Sequence, residues 1–215
     1  MANYIFDYDG TLHETIRVYE PAFRKAYEYL ARNNLMEPRT VTTEEIASYL
    51  GFSAKDMWDS FAPEISEEDK LHCSSLIGDE IINQIKEGNA RLYSNAIDTL
   101  KALKAKGNTL IFLSNCKEQY MNENRNYFGL DRFFDDYYCC EKYDYAPKYE
   151  IFSTIKEKHS GEFIVIGDRF HDMEIAQKHN LKSVGCLYGY GSPEELECAS
   201  VRIDDISQIL SAEVE

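Results

Sequence analysis

The sequence predicts an α/β protein: a doubly wound parallel sheet with a block of helices inserted after its first strand. Three observations carry this. Tyr4-Ile5-Phe6 is an apolar run that climbs straight into Asp7-Tyr8-Asp9-Gly10. From Ser94 onward, strand-like and helix-like stretches alternate, the pattern of right-handed βαβ units. Between the two lie about 80 residues without a strand-like run, too long for a plain loop.

Tyr4 to Phe6 reads as a short buried strand. The inserted block reads as four helices. Pro21 suits a helix start, and Ala22, Phe23, Ala26, Tyr27 and Leu30 follow at helical spacing. Thr43-Glu44-Glu45 opens a second helix, a third lies around Asp56 to Phe61, and Ser66-Glu67-Glu68-Asp69 opens a fourth. The stripe of the fourth is Leu71, Ile77, Ile81, Ile82 and Ile85. Together the four can bury their stripes as a small bundle. Beyond Ser94, Ile97, Leu100 and Leu103 line a helix that Gly107 ends. Strands are expected at Thr109–Leu113, Asp136–Cys140, Phe163–Ile166 and Ser183–Cys186, with helices at Gln119–Phe128, Tyr149–His159 and Met173–His179. The sheet domain is thus 1–14 with 90–215, and the helical subdomain is 15–89.

Bulk properties narrow the function. The chain has 215 residues, 44% of them hydrophobic, enough for a proper core. A formal net charge of -15 argues against nucleic acid or an anionic membrane as the main partner. The six cysteines show neither Cys-x-x-Cys nor zinc-finger spacing, which fits free thiols in a reducing compartment. With no 18-residue apolar run and a strand starting at Asn3, the cytoplasm is the expected location.

Side chains alternate along a strand, so Asp7 and Asp9 are expected on one face at its carboxyl end, where open α/β sheets bind ligands. Such a pair suits phosphoryl transfer. One carboxylate attacks phosphorus, and the second protonates the leaving alkoxide and then helps deprotonate water. Two like charges this close call for a cation, Mg²⁺. Two further strand ends carry polar groups. Ser114 and Asn115 follow Leu113 and can hold phosphate oxygens. Ile164-Val165-Ile166-Gly167-Asp168 is followed by Asp172, carboxylates of the kind a hard cation takes.

Asp7-Tyr8-Asp9-Gly10-Thr11-Leu12 resembles the first motif of the haloacid dehalogenase-like (HAD) phosphatases. Leu113-Ser114-Asn115 and Gly167-Asp168 to Asp172 resemble the second and fourth motifs, and Lys148 stands where the third motif has its lysine. The third motif departs from the common Lys-Pro-x-Pro, reading Ala146-Pro147-Lys148-Tyr149, and Lys142 competes for the role. The loop from Gly185 to Leu196 is similar to that of phosphoglycolate phosphatase-like and nucleotidase-like members. The resemblance spans the chain and implies a Rossmann-like core with a helical cap. It implies Asp7 as nucleophile and Asp9 as acid/base. Gly10, Thr11, Ser114, Asn115 and Lys148 would bind phosphate, and Asp7, Asp9, Asp168 and Asp172 would surround Mg²⁺.

Within the cap, Arg17, Lys55 and Trp58 are candidates to touch a leaving group. The expected activity is hydrolysis of a small phosphorylated metabolite: phosphoglycolate, a nucleoside monophosphate, pyrophosphate or a sugar phosphate. A sugar-phosphate mutase or a non-catalytic phosphate-binding protein are the alternatives, and either a monomer or a dimer is compatible with the sequence.

Overall fold

The structure, a computed structural model, describes residues 1–211. The chain divides into two compact units: Met1–Glu14 with the chain from Leu92 onward, and Thr15–Arg91.

The second unit is helical: α1 (Ile16–Arg32), α2 (Thr43–Ser48), α3 (Ala54–Phe61) and α4 (Glu67–Lys86). Thr42, Ser53 and Ser66 cap the last three, each side chain accepting the backbone N–H three residues on. Phe23, Leu30, Ile46, Trp58, Phe61 and Ile77 form the core of this unit. Pro21 lies inside α1, not at its start. It forfeits one backbone bond, yet Val18, Ala22, Phe23, Ala26 and Leu30 keep one buried face through it, so packing outweighs the local cost. Leu71 is also not part of the buried stripe. It is 72% exposed, and the inward face of α4 is Lys70, Cys73, Ile77, Ile82 and Ile85. Lys70 is tolerated there because its ammonium reaches Asp59 and Glu67 at 2.7 and 2.8 Å.

The first unit holds a six-stranded sheet: β1 (Asn3–Phe6), β2 (Thr109–Ser114), β3 (Asp136–Cys139), β4 (Phe163–Gly167), β5 (Lys182–Cys186) and β6 (Val201–Ile203). All neighbours pair in parallel, in the order β3-β2-β1-β4-β5-β6. The chain therefore winds outward from β1 to β3, returns to β4, and winds outward the other way. The order reverses between β1 and β4, where such sheets bind ligands beyond their carboxyl ends. β6 went unforeseen, since three residues, Val-Arg-Ile, carry no readable period.

Alternation sorts the strand residues onto two faces. Phe6, Leu110, Phe112, Ile164 and Ile166 meet α5 (Ala96–Ala105) and α6 (Glu118–Phe128) through Leu100, Leu103 and Met121. Ile5, Ile111, Leu113, Phe163 and Val165 meet α7 (Lys148–Lys158) and α8 (Phe170–His179) through Ile151, Phe152, Ile155 and Ile175.

Trp58 is 1% exposed, stacks on Phe23 and donates its indole N–H to Ser74 at 2.8 Å. Trp58→Ala is expected to destabilise the helical unit by about 3–5 kcal/mol. Lys55, exposed and paired with Asp59 across one helical turn, should change stability far less when replaced by Ala. Chemical denaturation of both variants checks the ranking.

Candidate active site

Asp7 follows β1 directly and its side chain meets groups carried by α7 and α8. The Lys148 ammonium lies 2.6 Å from Asp7 Oδ1 and 2.7 Å from Asp172 Oδ1. All three side chains are almost fully buried. Lys148 is the first residue of α7, and Asp172 sits in the first turn of α8, where its Oδ2 also accepts the Arg169 N–H. Gly167 is obligatory beside it, because a Cβ there would overlap the Asp172 carboxylate. Lys142, the competing lysine, is half-exposed and pairs with Glu118. The structure thus brings Lys148, and not Lys142, to Asp7.

Asp168 completes a cluster in which Asp7, Asp168 and Asp172 offer carboxylate oxygens within 4.8 Å of one another. One ammonium stands among three buried carboxyls. Burial pushes the Asp7 carboxyl well above its usual range, and Asp172 and Asp168 push it further against the pull of Lys148. Burial, then Asp172, pushes Asp168 up to about 7. Lys148 would be lowered by burial, but Asp172 and Asp7 outweigh that and hold it firmly charged. An all-carboxylate donor set with surplus negative charge, shut from water, fits a hard divalent cation such as Mg²⁺.

Asp168 is held by a cradle that sequence reasoning missed. Its Oδ1 accepts the Thr11 hydroxyl at 3.2 Å, and its Oδ2 accepts the Tyr190 N–H at 2.7 Å. Gly10, Gly189 and Gly191 close around it, and a Cβ on any of them would collide with Asp168. The Gly-Tyr-Gly of the loop after β5 was the available signal: two glycines flanking one residue mark a close backbone approach. Tyr190 acts there through its backbone, so its residue type carried no hint.

Asp7 and Asp9 both lie beyond the end of β1. The strand stops at Phe6, so alternation no longer governs Asp9. The chain doubles back through Leu12 and His13, whose N–H groups both reach the Tyr8 carbonyl. The Asp9 carboxylate is outside the three-acid cluster and accepts the Tyr120 hydroxyl of α6 at 2.6 Å. That hydroxyl also contacts His13 Nδ1 at 3.0 Å. Burial and then Asp9 push the Tyr120 phenol well above its ordinary pKa, so it stays a neutral donor. Neither Tyr120 nor His13 was legible as a site residue, for they lie far apart in sequence and carry no motif.

The remaining expected residues separate as follows. Gly10 has φ +83° and gives its N–H to His13. The Thr11 hydroxyl serves Asp168. Ser114 is buried at the end of β2, and Asn115 accepts the Cys140 thiol at 2.7 Å. Arg17 and Lys55 are exposed on the helical unit, whereas Trp58 belongs to its core.

Comparison with known proteins shows the family. The family model for haloacid dehalogenase-like hydrolases matches residues 4–186. A phosphoglycolate phosphatase of Vibrio vulnificus is 24% identical, with 95% of this chain and 92% of that protein aligned. A 5'-nucleotidase of Pseudomonas aeruginosa is also 24% identical, over 90% and 86% of the two chains. A haloacid dehalogenase-like family hydrolase from Streptococcus pneumoniae superposes with a TM-score of 0.77 at 18% identity, covering 97% of this chain and 96% of that one.

In chelator, Asp168 makes the stability of the fold depend on pH. Asp168 releases its proton near its ordinary value when unfolded but only at about 7 when folded. The unfolded chain then binds fewer protons between those values, so this group lowers stability as pH rises through that window. Asp168→Asn should remove the effect, since its amide can turn its oxygen to the Tyr190 N–H and its nitrogen to the Thr11 hydroxyl. The melting temperature of the variant relative to wild type is expected to rise from pH 5 to pH 8. A difference independent of pH would refute the assignment.

Proposed function

Since this chain belongs to the haloacid dehalogenase-like hydrolase family and is a phosphatase of phosphoric monoesters, we propose that it hydrolyses a small phosphorylated metabolite through an aspartyl-phosphate on Asp7, with Mg²⁺ as its ion. The observation that carries this reading is the Lys148 ammonium between Asp7 and Asp172, with Asp168 alongside. Asp7, Asp168 and Asp172 would hold the ion. When bound, it neutralises charge on the attacking carboxylate and on the phosphoryl oxygens.

The protein's own groups then have distinct tasks. Lys148 keeps Asp7 oriented and holds positive charge where the phosphoryl group must sit. The Ser114 hydroxyl and the backbone beyond β2 hold phosphoryl oxygens. The Asp7 carboxylate attacks phosphorus as the bond to the leaving oxygen breaks. Asp9 gives its proton to that oxygen. In the second step Asp9 takes a proton from water, the water oxygen attacks phosphorus, and the bond to Asp7 breaks. The different surroundings of the two acids support the division: Asp7 is locked to an ammonium, and Asp9 is partly exposed and bonded to a neutral hydroxyl. The six cysteines, all free, support a reducing compartment, the cytoplasm. No helix among the described residues is long and apolar enough to cross a membrane.

Two relatives, one named a phosphoglycolate phosphatase and one a 5'-nucleotidase, support this substrate class. A panel containing phosphoglycolate and nucleoside monophosphates tests it. Turnover should disappear in excess chelator and return with Mg²⁺. Asp7→Asn should abolish both turnover and the covalent phosphate. Asp9→Asn should slow alkyl phosphates by about 10²–10⁴-fold and let the phosphoenzyme accumulate with an aryl phosphate. Intact-protein mass spectrometry after rapid quenching reads both, and phosphate found on any residue but Asp7 would refute the mechanism.

The two lysines give an independent check. Lys148→Ala is expected to lower kcat by about 10²-fold or more, and Lys142→Ala by less than about twofold. Equal losses in the two variants would remove Lys148 from the phosphoryl site.

A further inference from the structure

Each oxygen of Asp168 is held by a different segment. Oδ1 accepts the Thr11 hydroxyl at 3.2 Å, and Oδ2 accepts the Tyr190 N–H at 2.7 Å. Thr11 belongs to the turn after β1, and Tyr190 to the loop after β5. The two are far apart in sequence, so neither fixes the other through the chain. Asp168 keeps its carboxylate beside those of Asp7 and Asp172 only while both arms hold their spacing.

Tyr188 ties the two arms together. Its hydroxyl donates to the Thr11 carbonyl at 2.8 Å. A carbonyl can only accept, so the direction of this bond is fixed. It joins the loop, two residues before Tyr190, to the residue whose hydroxyl holds Asp168. A closed circuit results: Tyr188 to Thr11, Thr11 to Asp168, Asp168 to Tyr190, and back along the chain to Tyr188. The circuit has little slack. Thr11 is fully buried, and a Cβ on Gly10 or Gly189 would fall 2.2 Å from an Asp168 atom. Tyr93 backs Tyr188. Its ring meets Tyr188 edge-on with centroids 4.9 Å apart, and its hydroxyl donates to the Tyr188 carbonyl at 3.4 Å. The Tyr93 N–H bonds the carbonyl of Leu12, the neighbour of Thr11, at 2.9 Å. Tyr93 thus rests on both segments at once.

We propose that Tyr188 is a positioning residue for Asp168: its hydroxyl fixes the spacing of the two arms and so sets how tightly the site holds a divalent cation. The inference rests on the reading of Asp168 as an ion ligand. Mg²⁺ demands closely defined oxygen positions, and groups that orient a ligand from behind are commonly worth about 10–100-fold in metal affinity. Tyr188 acts through Thr11 and the Tyr190 backbone, and it exchanges no proton. A hydroxyl that merely completed the packing would contribute to stability and leave the affinity for the ion alone.

The test is Mg²⁺ binding to the full chain by isothermal titration calorimetry, without substrate, after stripping with chelator and dialysis. Tyr188→Phe keeps the ring against Tyr93 and removes the bond to Thr11. It should weaken Mg²⁺ binding by about tenfold or more, while its melting temperature in chelator falls by about 2–4 °C. Ser183→Ala is the matched control. Ser183 is buried toward the other end of β5, where its hydroxyl accepts the Ser200 N–H at 3.3 Å. That variant should lose similar stability and change Mg²⁺ affinity by less than about twofold. Unchanged affinity in Tyr188→Phe, or equal losses of affinity in the two variants, would overturn the proposal. Asp168→Asn is the reference and should lose more affinity than either. If Asp168→Asn binds Mg²⁺ as wild type does, the ligand reading falls and the inference with it. If Asp168→Asn loses binding and Tyr188→Phe does not, the role of Tyr188 alone is refuted. Should Tyr188→Phe fail to fold, Tyr93→Leu decides. It withdraws the ring behind Tyr188, leaves both arms of Asp168 in place, and should weaken Mg²⁺ binding by about threefold or more. Wild-type affinity in Tyr93→Leu would then overturn the proposal.

Discussion

The Lys148 ammonium, buried between two carboxylates at hydrogen-bond distance, is the constraint on which the rest of this site depends. A buried charge is costly unless paired, and removing one partner of a buried pair is costlier than the pair itself. Asp7, Asp172 and Lys148 must therefore arrive together. The fold supplies each from a different element: the end of β1, the first turn of α8 and the first residue of α7. The register of β1 beside β4, Phe6 opposite Ile166, sets how closely Asp7 and the acids after β4 approach. The apolar face shared by α7 and α8 fixes their starts. Packing far from the chemistry is thus converted into a spacing of ångströms between charges.

That ammonium also leaves the site short of positive charge by design. Three buried carboxyls around one lysine raise the proton affinity of Asp7 and Asp168, and a proton and a metal ion then compete for the same oxygens. The cradle around Asp168 favours the ionised form locally, through one backbone N–H and one hydroxyl, yet burial outweighs it. Asp9 stands apart from this competition, outside the cluster and tied to a neutral phenol. Two acids two residues apart thus have different partners, an ammonium for Asp7 and a phenol for Asp9.

Much of this was legible in the sequence, for stated reasons. The strands of the core are apolar runs ending in polar groups, so both the sheet and the positions of Asp7, Ser114, Asp168 and Asp172 could be read. Lys148 is marked in the sequence by its place before α7, and its ammonium lies 2.6 Å from Asp7 Oδ1. What could not be read was contact between distant segments. Tyr120 and His13 sit in ordinary sequence, and only the stacking of α6 against the turn after β1 brings them to Asp9. Alternation does not by itself place Asp9, because it holds within strands and β1 ends at Phe6. Pro21 and Leu71 failed for the complementary reason. Each obeys a local rule that the packing of the helical unit overrides.

The position of β1 at the centre of the sheet has a consequence for how the protein is made. Its partners are Thr109–Phe112 on one side and Phe163–Ile166 on the other. Of the strands with two neighbours, β1 thus waits longest for both, and the contacts it awaits are among the most distant in sequence. The helical unit, whose contacts lie within Thr15–Arg91, has its whole core available while β1 still waits with two open edges. Until the stretch through Phe163 has been synthesised, the acids that form the site belong to an unfinished sheet. Asp7 and Lys148 can meet their last partner only once Asp172 has been synthesised, so two segments of the site exist long before the site does.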